Sequence, residues 1–470
     1  MRKTKIICTI GPASASEETL AELIKAGMNV ARLNFSHGTH EEHKEKIDLI
    51  KKVREELHMP IAIMLDTKGP EYRIGTFEKG SIELKEGDEF TFTTDDIQGN
   101  EHIVSVSYKD LMQNLSAGDK ILVNNGLVVF EVKKVSAKEA LCTVINGGVL
   151  SDRKSMNFPG KVMKQEFLSE ADRNDLLFGI ENGVDFVAAS FVSTKEDIQS
   201  MRHFLDWNGG NDIDIIAKIE NRSGVDNIES ICEVADGIMV ARGDLGVEIP
   251  GIEVPSVQKY LIQKCRLLGK RVITATEMLE SMIKNPRPTR AEISDVANAV
   301  YDGTSAVMLS GETAAGKFPA EAVKTMADTV EFTESRIHYE KRFRGTDFII
   351  RNNQDAVSHA TCAMAIDVHA KCIIVNSLTG LTARMVSRFR CPVDILGMTT
   401  DEKVWRKINL SWGVLPVLCD KYTTVDEMFD NDMKKAEEIL DLKSGDNCVL
   451  TGGMIDGSAG NTNLIKVEQV

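Results

Sequence analysis

The chain has 470 residues, of which 42% are hydrophobic and 27% are charged, a composition typical of a soluble globular protein with material for about three domains. Its 71 acidic residues against 56 Lys and Arg give a net charge of −15, which argues against nucleic acid as the main partner. The sequence shows no signal peptide and no apolar run that could span a bilayer, so we expect a cytoplasmic protein with no membrane partner. Nine scattered cysteines without Cys-x-x-Cys spacing indicate reduced thiols.

Three strand-then-helix repeats open the chain. Apolar runs such as KIICT and IAIML predict strands, and the first connecting helix is expected to start with a capping box formed by Ser14 and Glu17. A second helix is expected from His40 to Leu57. The polar residues that end or follow the strands are Thr9, Arg32, Asn34, Ser36, Asp66 and Thr67. Residues 1–70 are therefore predicted to form the first part of an alternating β/α domain.

The sequence pattern changes from residue 71 to about residue 167. Short β-type runs such as SIELKEGDEFTFTT and EALCTVING are separated by Gly-Asp and Asn-Gly turns, and helical periodicity almost disappears. The segment 71–167 is therefore predicted to be an all-β domain inserted into the first domain.

The stretch 213–250 places charge at the ends of two apolar strands. The first strand carries Lys218 and Glu220, and the second is followed by Arg242 and Asp244. Because side chains alternate along a strand, the two members of each pair are expected to share a face. Carboxylates suit a divalent cation, and the flanking cations suit a phosphorylated substrate that bridges to it. Structural ion pairs at strand ends explain the same pattern equally well.

The alternation of strands and helices resumes at Phe167 and adds five strands to the first three. Eight such strands indicate a closed parallel (β/α)8 TIM barrel, with residues 168–345 as its second part and the active site at the carboxyl ends of the strands. Nearly every predicted strand ends in polar residues, as expected for a ring of functional side chains. An open, doubly wound sheet would concentrate them at its switch point.

A smaller C-terminal α/β domain is predicted for residues 346–470, after a charged segment from His338 to Asp347 that we interpret as a linker. Its loop from Ser377 to Thr382 ends one strand and opens a helix, so its hydroxyl and N–H groups could cradle a phosphate. An ordinary Ser/Thr helix cap is the simpler interpretation of these residues taken alone.

The longer motifs point to a family. The runs KIICTIGP, ARLNFSHG, LDTKGPE, IIAKIEN, MVARGDLGVEIP, TATEMLESMIKNPRPTRAE and DVANAVYDGTSAVMLSGETAAGKFP occur in this order along the chain. With the β insertion among them, the chain resembles pyruvate kinase over essentially its whole length. The resemblance implies transfer of the phosphoryl group of phosphoenolpyruvate to ADP, which gives pyruvate and ATP in glycolysis.

The resemblance gives roles to the charged strand ends. Glu220 and Asp244 match the ligands of a Mg²⁺ (or Mn²⁺) ion that the substrate shares, and Lys218 matches the lysine that faces the transferred phosphoryl group. Arg32 matches an arginine that holds phosphate. The nucleotide is implied to bring a second magnesium ion. The residues that match its site are Arg73, Asn34 and His37.

A site for a monovalent cation is also implied. Its ligands match Asn34, Ser36, Asp66 and Thr67, all of which can offer oxygen to K⁺. Glu71 follows Gly-Pro as in the potassium-requiring members of the family, whereas a Lys there would supply the positive charge internally.

Two further positions are implied to act on the substrate. The N–H groups of Gly243 and Asp244, where the chain enters a helix, are expected to bind the substrate carboxylate. Thr276 matches a threonine implicated in protonating the enolate, through water, once the phosphoryl group has left. A β-branched residue lining the barrel is the simpler interpretation of Thr276, which lies two residues after Thr274.

Five positions depart from the family pattern. Asn124 and Asn125 replace the usual Asp pair in the inserted domain, which resembles the family's lid. Glu277, Ser305 and Ser193 replace the more common Gln, Asp and Arg. Because no metal ligand is lost, we expect these changes to affect lid closure, nucleotide affinity and turnover rather than the reaction itself.

The C-terminal domain resembles the effector-binding domain of the family. The residues expected to form a sugar-phosphate pocket are Ser377, Thr379, Gly380, Thr382, Arg384, Trp405, Gly457 and Gly460. Leu381 stands where some members have a basic residue, so the identity of the effector stays open. The resemblance also implies a homotetramer.

Two other functions fit parts of the sequence. A magnesium-dependent aldolase or lyase acting on a 2-oxo acid would use the same paired carboxylates, but it explains neither the lid nor Arg73. A non-catalytic paralogue that binds phosphometabolites would fit the changes at Asn124, Asn125 and Ser305. A requirement for ADP in pyruvate formation separates phosphoryl transfer from both.

Overall fold

The first three barrel strands alternate with two helices, as the sequence predicts. In the computed structural model, which describes residues 1–161, 163, 166–453 and 462–470, these elements are β1 (Lys5–Thr9), α1 (Glu17–Ala26), β2 (Val30–Asn34), α2 (His40–Glu56) and β3 (Ala62–Asp66). Helix α1 is capped by Ser16, whose side chain accepts a hydrogen bond from the Thr19 N–H. The predicted capping box of Ser14 and Glu17 is therefore wrong. Ser14 Oγ instead accepts a hydrogen bond from the Gly11 N–H at 3.1 Å, in the turn after β1.

The inserted segment is built of short strands around a core of its own. Its elements are β4 (Tyr72–Arg73), β5 (Ser81–Leu84), β6 (Glu89–Thr93), β7 (Ile103–Ser105), α3 (Leu111–Asn114), β8 (Lys120–Val123), β9 (Val128–Val135), β10 (Glu139–Asn146), β11 (Gly148–Ser151) and β12 (Ser155–Asn157). Seven strands form one sheet in the order β4-β12-β8-β9-β10-β6-β7, and β11 pairs with β5. Alternate residues face inward, where Phe90, Phe92 and Phe130 pack with ring centroids 4.9, 5.4 and 5.6 Å apart.

Five further strands complete the barrel. They are β13 (Phe186–Ala189), β14 (Asp214–Ile219), β15 (Gly237–Ala241), β16 (Arg271–Ala275) and β17 (Ala306–Leu309). The helices around them are α4 (Glu170–Glu181), α5 (Lys195–Trp207), α6 (Arg222–Asp226), α7 (Ile228–Val234), α8 (Arg242–Glu248), α9 (Val254–Leu268), α10 (Arg290–Asp302), α11 (Gly311–Ala314) and α12 (Pro319–Glu334), with 3₁₀ turns at Gly251–Glu253 and Glu280–Ile283. The eight strands close in the order β1-β17-β16-β15-β14-β13-β3-β2. The structure confirms the (β/α)8 barrel with an inserted β domain.

The C-terminal part is a second α/β layer, as predicted. Its strands are β18 (Cys372–Asn376), β19 (Asp394–Thr399), β20 (Val414–Leu418), β21 (Asn447–Gly453) and β22 (Thr462–Gln469), in the order β20-β19-β18-β21-β22. Its helices are α13 (Tyr339–Arg344), α14 (Asn353–Asp367), α15 (Leu381–Ser387), α16 (Glu402–Ile408) and α17 (Val425–Leu440). The segment interpreted as a linker contains α13, whose Phe343 is buried in the core of this layer. No helix in the described ranges is long and apolar enough to cross a membrane.

The C-terminal domain closes the amino-terminal end of the barrel. Leu410 packs into the apolar cluster inside the barrel, which includes Ile7. Around it, the carboxylate of Asp214 accepts hydrogen bonds from Arg271 Nη1 at 2.6 Å and from Lys407 Nζ at 2.8 Å. Apolar packing and ion pairs thus seal this base and leave the carboxyl ends of the strands as the open face.

Ser305 lies at this base, just before β17, and not at the open face of the barrel. Its Oγ accepts hydrogen bonds from the Val272 N–H at 3.1 Å and from Arg390 Nη2 at 3.0 Å. Burial, reinforced by Arg266, lowers the pKa of Arg390 to about 9. The position of Ser305 therefore does not support the expected effect on lid closure or nucleotide affinity. The Asp common at this position would instead give Arg390 a counter-ion.

Replacing Ser305 with Asp is expected to raise the midpoint of thermal unfolding, because a carboxylate would pair with the buried Arg390 guanidinium. A charge-assisted hydrogen bond in place of a neutral one contributes about 1 kcal/mol. Differential scanning fluorimetry measures the shift. A matched Ser305→Ala protein, which lacks the acceptor, should unfold at a lower temperature than the parent. A Ser305→Asp protein that unfolds below the parent would contradict this account of Arg390.

Candidate active site

Lys218 and Glu220 lie at the carboxyl end of β14, inside the ring of strand ends. Lys218 Nζ lies 2.9 Å from Glu220 Oε1 and 3.1 Å from Asp66 Oδ1, and it donates a hydrogen bond to Ser190 Oγ at 2.7 Å. The residue is only 9% exposed. Oxygens from three strand ends therefore hold a long, flexible side chain in one position at the centre of the open face.

The charges in this group shift each other's pKa values. Burial disfavours the charged form of Lys218, but Asp66 and Glu220 outweigh it, so the pKa of Lys218 is raised. Burial raises the pKa of Glu220 to about 7, while Lys218 opposes the rise and Asp244 adds to it. Asp244 follows β15, the neighbour of β14 in the barrel, so both carboxylates lie at the same rim, where one cation would relieve their repulsion.

Arg32 at the end of β2 belongs to the same cluster. Its Nε donates to Asp66 Oδ2 at 2.6 Å, and its Nη1 donates to Thr9 Oγ1 at 2.9 Å. Burial raises the pKa of Asp66, but Arg32 and Lys218 outweigh this effect and lower it overall. Asp66 therefore stays ionised and joins the two cations that the sequence assigns to phosphate.

Glu220 and Asp244 fit a divalent cation. Asp244 is exposed in the first turn of α8. Glu220 Oε2 accepts the Phe191 N–H at 2.6 Å, and the buried Oε1 is paired with Lys218 Nζ at 2.9 Å. Each carboxylate oxygen keeps a further lone pair, and such an oxygen beside the exposed carboxylate of Asp244 suits a hard ion. No group of three His, Cys, Asp or Glu that could hold a metal occurs in the described part of the chain.

Thr276 and Glu277 follow β16 in a left-handed turn, with φ of 70° and 53°. Such backbone costs about 1–3 kcal/mol per non-glycine residue and needs support from its surroundings. Thr276 Oγ1 accepts the Gly243 N–H at 2.8 Å and donates to the Ala275 carbonyl oxygen at 2.6 Å. The hydroxyl therefore faces α8, and the interpretation of Thr276 as a barrel-lining residue does not hold. The Gly243 N–H, expected to bind the substrate carboxylate, is bonded to Thr276 here.

Arg242 does not join Lys218, although the strand pattern predicted that both would face the substrate. Strand β15 ends at Ala241, so side-chain alternation does not extend to the first residue of α8. The guanidinium instead donates to the carbonyl oxygen of Thr276 and to Asp295. No sequence signal distinguishes this arrangement from a substrate-facing arginine.

The oxygen donors predicted for K⁺ gather at the ends of β2 and β3. Asn34 and Asp66 are neighbours in the register of these strands, and Thr67 follows directly. Asn34 Oδ1 accepts the N–H of the exposed Ser36 at 3.1 Å, and the Thr67 carbonyl oxygen accepts from Ser190 Oγ at 2.7 Å. Each of these oxygens keeps a second lone pair. One carboxylate with neutral oxygens fits a monovalent cation.

A cleft of about 410 Å³ separates the inserted domain, hereafter the lid, from the barrel. Its lining includes Glu71, Arg73, Lys154, Lys161, Ser193 and Asp244. Arg73 forms an ion pair with Glu71 and donates to the Arg153 carbonyl oxygen at 2.6 Å. The lid also touches α8, because Asn157 Nδ2 donates to Glu248 Oε1 at 2.9 Å. The place of Lys154 and Lys161 in this cleft was not predicted from the sequence, where they look like ordinary exposed charges near strand ends.

Asn124 and Asn125 line the same cleft, in the turn between β8 and β9. Their φ values are 56° and 55°, a left-handed backbone that Asn tolerates better than most residues. Compared with an Asp pair, they place no extra negative charge across from Asp244 and Glu248.

His37, predicted to contact the nucleotide, lies in the exposed turn after β2. Its carbonyl oxygen is bound by the ring of His43 on α2.

Only some of the residues predicted to bind the effector lie together in one loop. Ser377 Oγ accepts the Thr382 N–H at 3.3 Å, and Gly380 allows the turn between them with a φ of 79°. Thr379 is exposed in the same loop. The residues from Ser377 to Thr382 therefore form a tight, partly exposed turn at the end of β18.

Of the other predicted effector residues, Trp405 lies on α16, whose Val404 and Ile408 side chains approach Gly380 closely. Trp405 Nε1 is buried without a partner among the described residues. Arg384 Nη1 lies 3.5 Å from Asp236 Oδ1 and 3.4 Å from the Asp236 carbonyl oxygen, so it points to the barrel rather than to the loop. Gly457 and Gly460 lie outside the described residues.

Known proteins resemble the whole chain. The family model described as the pyruvate kinase barrel domain matches residues 1–323, and that of the pyruvate kinase alpha/beta domain matches residues 355–468. A pyruvate kinase of Clostridium acetobutylicum is 47% identical over 474 residues that cover 100% of both chains. One of Geobacillus stearothermophilus is 48% identical over 100% of this chain and 80% of its own. A crystal structure of a pyruvate kinase from Cryptosporidium parvum aligns with a TM-score of 0.94 at 40% identity, over 100% of this chain and 96% of that one.

A closed barrel that gathers a buried lysine, an arginine and facing carboxylates beneath a β lid defines a phosphoryl-transfer enzyme of the TIM-barrel class. The matches make it specific: the chain belongs to the pyruvate kinase family. Its activity is the transfer of the phosphoryl group of phosphoenolpyruvate to ADP, the last step of glycolysis. The family, fold and activity expected from the sequence are confirmed, and neither the aldolase nor the non-catalytic alternative is supported.

Proposed function

We propose that the chain catalyses this reaction with Mg²⁺ (or Mn²⁺) and K⁺, and that phosphoenolpyruvate and ADP meet in the cleft between barrel and lid. The observation that supports this most directly is the position of Lys218 Nζ, within 3.1 Å of both Asp66 and Glu220. A fixed ammonium group beside carboxylates that would hold a divalent ion suits the binding of a phosphoryl group.

Glu220 and Asp244 would hold the divalent ion, which when bound supplies a Lewis acid for the charge of the phosphoryl group. The K⁺ ligands would be Asn34, Ser36, Asp66 and Thr67, which lie at or just after the ends of the neighbouring strands β2 and β3. Both sets are adjacent to Lys218 through Asp66 and Glu220. All the added positive charge would therefore stand around the transferred group.

In the transfer step, the bond from phosphorus to the enol oxygen breaks as a bond to a terminal oxygen of ADP forms. Lys218 and Arg32, both held by Asp66, bind phosphoryl oxygens while negative charge passes to the enolate oxygen. Arg73 lines the cleft together with Asp244 and binds the nucleotide from the lid, and Asn34 and His37, at and just after the end of β2, bind it from the barrel. Because the cations are already fixed, transfer requires little reorganisation of the protein.

The enolate that remains must gain a proton at carbon 3. The electron pair of its C=C bond forms the new C–H bond, and the enolate oxygen becomes the carbonyl oxygen of pyruvate. Thr276 Oγ1, fixed by Gly243 and Ala275, holds the water that gives up this proton and regains one from solvent.

An omission assay tests the cofactor assignment. Pyruvate formation is followed with a coupled reductase in the complete mixture, and then with ADP, Mg²⁺ or K⁺ withheld in turn. We expect each omission to bring the rate close to background. An unchanged rate without K⁺ would contradict the monovalent site alone, and an unchanged rate without a divalent ion would contradict the roles of Glu220 and Asp244.

Replacing Glu71 with Lys is expected to reduce the requirement for K⁺, because the lysine brings a permanent positive charge to the cleft. Glu71 contacts Lys68 at 3.7 Å and pairs with Arg73, so the change also frees Arg73 for the nucleotide. We expect the rate without K⁺ to rise about tenfold, the effect of about 1.4 kcal/mol of added charge stabilisation. Potassium titrations at constant ionic strength measure it.

The matched control for this change is Glu71→Gln, which removes the negative charge without adding a positive one. Its potassium requirement should resemble that of the parent more than that of the Glu71→Lys protein. An unchanged potassium requirement in the Glu71→Lys protein would count against the charge argument.

We also propose that residues 346–470 bind a sugar-phosphate effector and that the protein works as a cytoplasmic homotetramer with barrel segments 1–70 and 168–345 flanking the lid at 71–167. The unpartnered, buried indole N–H of Trp405 supports a ligand near the loop from Ser377 to Thr382, since buried donors are normally bonded. Activation curves with sugar phosphates test the effector, and light scattering after size exclusion tests the oligomer.

A further inference from the structure

Arg242 starts α8, two residues before Asp244, and its guanidinium reaches the turn after β16. Nε lies 3.3 Å from the Ala275 carbonyl oxygen and 3.2 Å from the Thr276 carbonyl oxygen, and Nη2 donates to the latter at 2.5 Å. One side chain therefore binds two consecutive carbonyl groups of the turn that presents Thr276.

The guanidinium group is held from its other edge as well. Nη1 donates to Asp295 Oδ2 on α10 at 2.6 Å, and Nη2 lies 2.9 Å from Met278 Sδ. The arginine side chain is 10% exposed. A planar group with fixed partners on two edges has a single orientation, which a lysine ammonium would not have.

The position of the Thr276 hydroxyl depends on the groups that Arg242 binds. Thr276 and Glu277 are both left-handed, so the β-ladder no longer holds their carbonyl groups. Thr276 Oγ1 donates to the Ala275 carbonyl oxygen, which is itself bound by Arg242, and accepts from the Gly243 N–H. Arg242 thus connects the backbone that carries Asp244 to the turn that carries Thr276.

We infer that Arg242 is a positioning residue for the protonation step: it holds the Thr276 turn so that Oγ1 faces the carbon that becomes the methyl group of pyruvate. This rests on the proposed role of Thr276. The role requires neither a proton from Arg242 nor contact with the substrate, because its effect passes through the carbonyl groups of Ala275 and Thr276.

The test isolates the proton step in four proteins: the parent, Arg242→Ala, Thr276→Ala and the double variant. Proton NMR follows the exchange of pyruvate methyl protons with D₂O in the presence of Mg²⁺, K⁺ and ATP, and kcat and KM for phosphoenolpyruvate are measured alongside. We expect each single variant to exchange about 10²-fold more slowly, with KM changed by less than about threefold. If Arg242 acts through Thr276, the double variant is no slower than the slower single variant.

Two added observations separate positioning from a general loss of structure. Free guanidinium at millimolar concentration should restore part of the exchange rate to Arg242→Ala, whereas urea should not. Arg202→Ala, which removes an ion pair with Asp236 on the outside of the barrel, should exchange like the parent. If Arg242→Ala does not fold, Arg242→Lys and Asp295→Asn take its place, because each keeps bulk but loses part of the fixed contact.

Three results of the exchange measurements would contradict the inference. Parental exchange in Thr276→Ala would overturn the role of Thr276 and the inference with it. Slow exchange in Thr276→Ala with parental exchange in Arg242→Ala would overturn the positioning role alone. Effects that multiply in the double variant would show that Arg242 acts independently of Thr276, which also overturns the inference.

Discussion

Replacing Glu220 with Gln is expected to lower the rate of pyruvate formation by about 10³-fold and to raise the Mg²⁺ concentration needed for half-maximal activity. The amide oxygen can still accept the Phe191 N–H, which Oε2 accepts at 2.6 Å, but the other position then carries NH₂ in place of Oε1, which lies 2.9 Å from Lys218 Nζ. An NH₂ group cannot bind a cation, and it would face the ammonium group of Lys218. Magnesium titrations of the initial rate measure both effects.

The control for this change is Glu253→Gln, which removes one negative charge from the same face of the barrel. Glu253 is half-exposed and paired with Arg222, so its loss should leave the rate and the magnesium requirement within about threefold of the parent. A Glu220→Gln protein that also stays within threefold would remove Glu220 from the metal site.

Replacing Lys218 with Met is expected to lower kcat by about 10³-fold, because the buried charge next to the transferred group disappears while the side-chain volume is nearly kept. The loss should fall on phosphoryl transfer, so methyl-proton exchange of pyruvate should decline less than kcat. Stopped-flow or coupled assays of transfer and NMR of exchange give the two rates for one protein.

Lys218→Arg tests whether charge alone is enough. The residue is only 9% exposed and its ammonium fits among Asp66, Ser190 and Glu220, so a larger, planar group should not restore the rate. Full activity in the arginine variant would show that placement is unimportant. A Lys218→Met protein with kcat within tenfold of the parent would contradict the role of the lysine.

The cluster at the open end of the barrel could be predicted from two simple rules, side-chain alternation and the common rim of parallel strand ends. Lys218 lies on β14 and Glu220 directly follows its last residue, and alternation carries over this one residue to place both side chains on one face, where they lie 2.9 Å apart. Asp66 is 152 residues away in sequence from Lys218, yet both come from strand ends of one parallel barrel, which brings such ends to the same rim. The pattern of strands was therefore enough to group these residues.

The alternation rule fails where the chain passes from a strand directly into a helix or a left-handed turn. Arg242 already belongs to α8, and Thr276 lies in a left-handed turn, so neither follows the alternation of β15 or β16. A left-handed threonine has no signature in a single sequence, because glycine or asparagine is the residue normally expected there. Its support by Arg242 could be found only from the coordinates. Ser305 is different: it directly precedes the apolar run from Ala306 to Leu309, so its place at the amino end of β17 could be predicted from the sequence, whereas its partner Arg390 could not.

The seal at the base of the barrel has a consequence for the chain as a whole. Lys5 Nζ donates to the Val414 carbonyl oxygen at 2.6 Å, and burial lowers the pKa of Lys5 to about 7. Leu410 fills the floor of the same interior. Cutting away the terminal domain would expose that floor and the Lys5 amine to water, so we expect the barrel to be less stable on its own. Strand β1, which meets the terminal domain through Lys5, carries at its far end Thr9, the hydrogen-bond partner of Arg32.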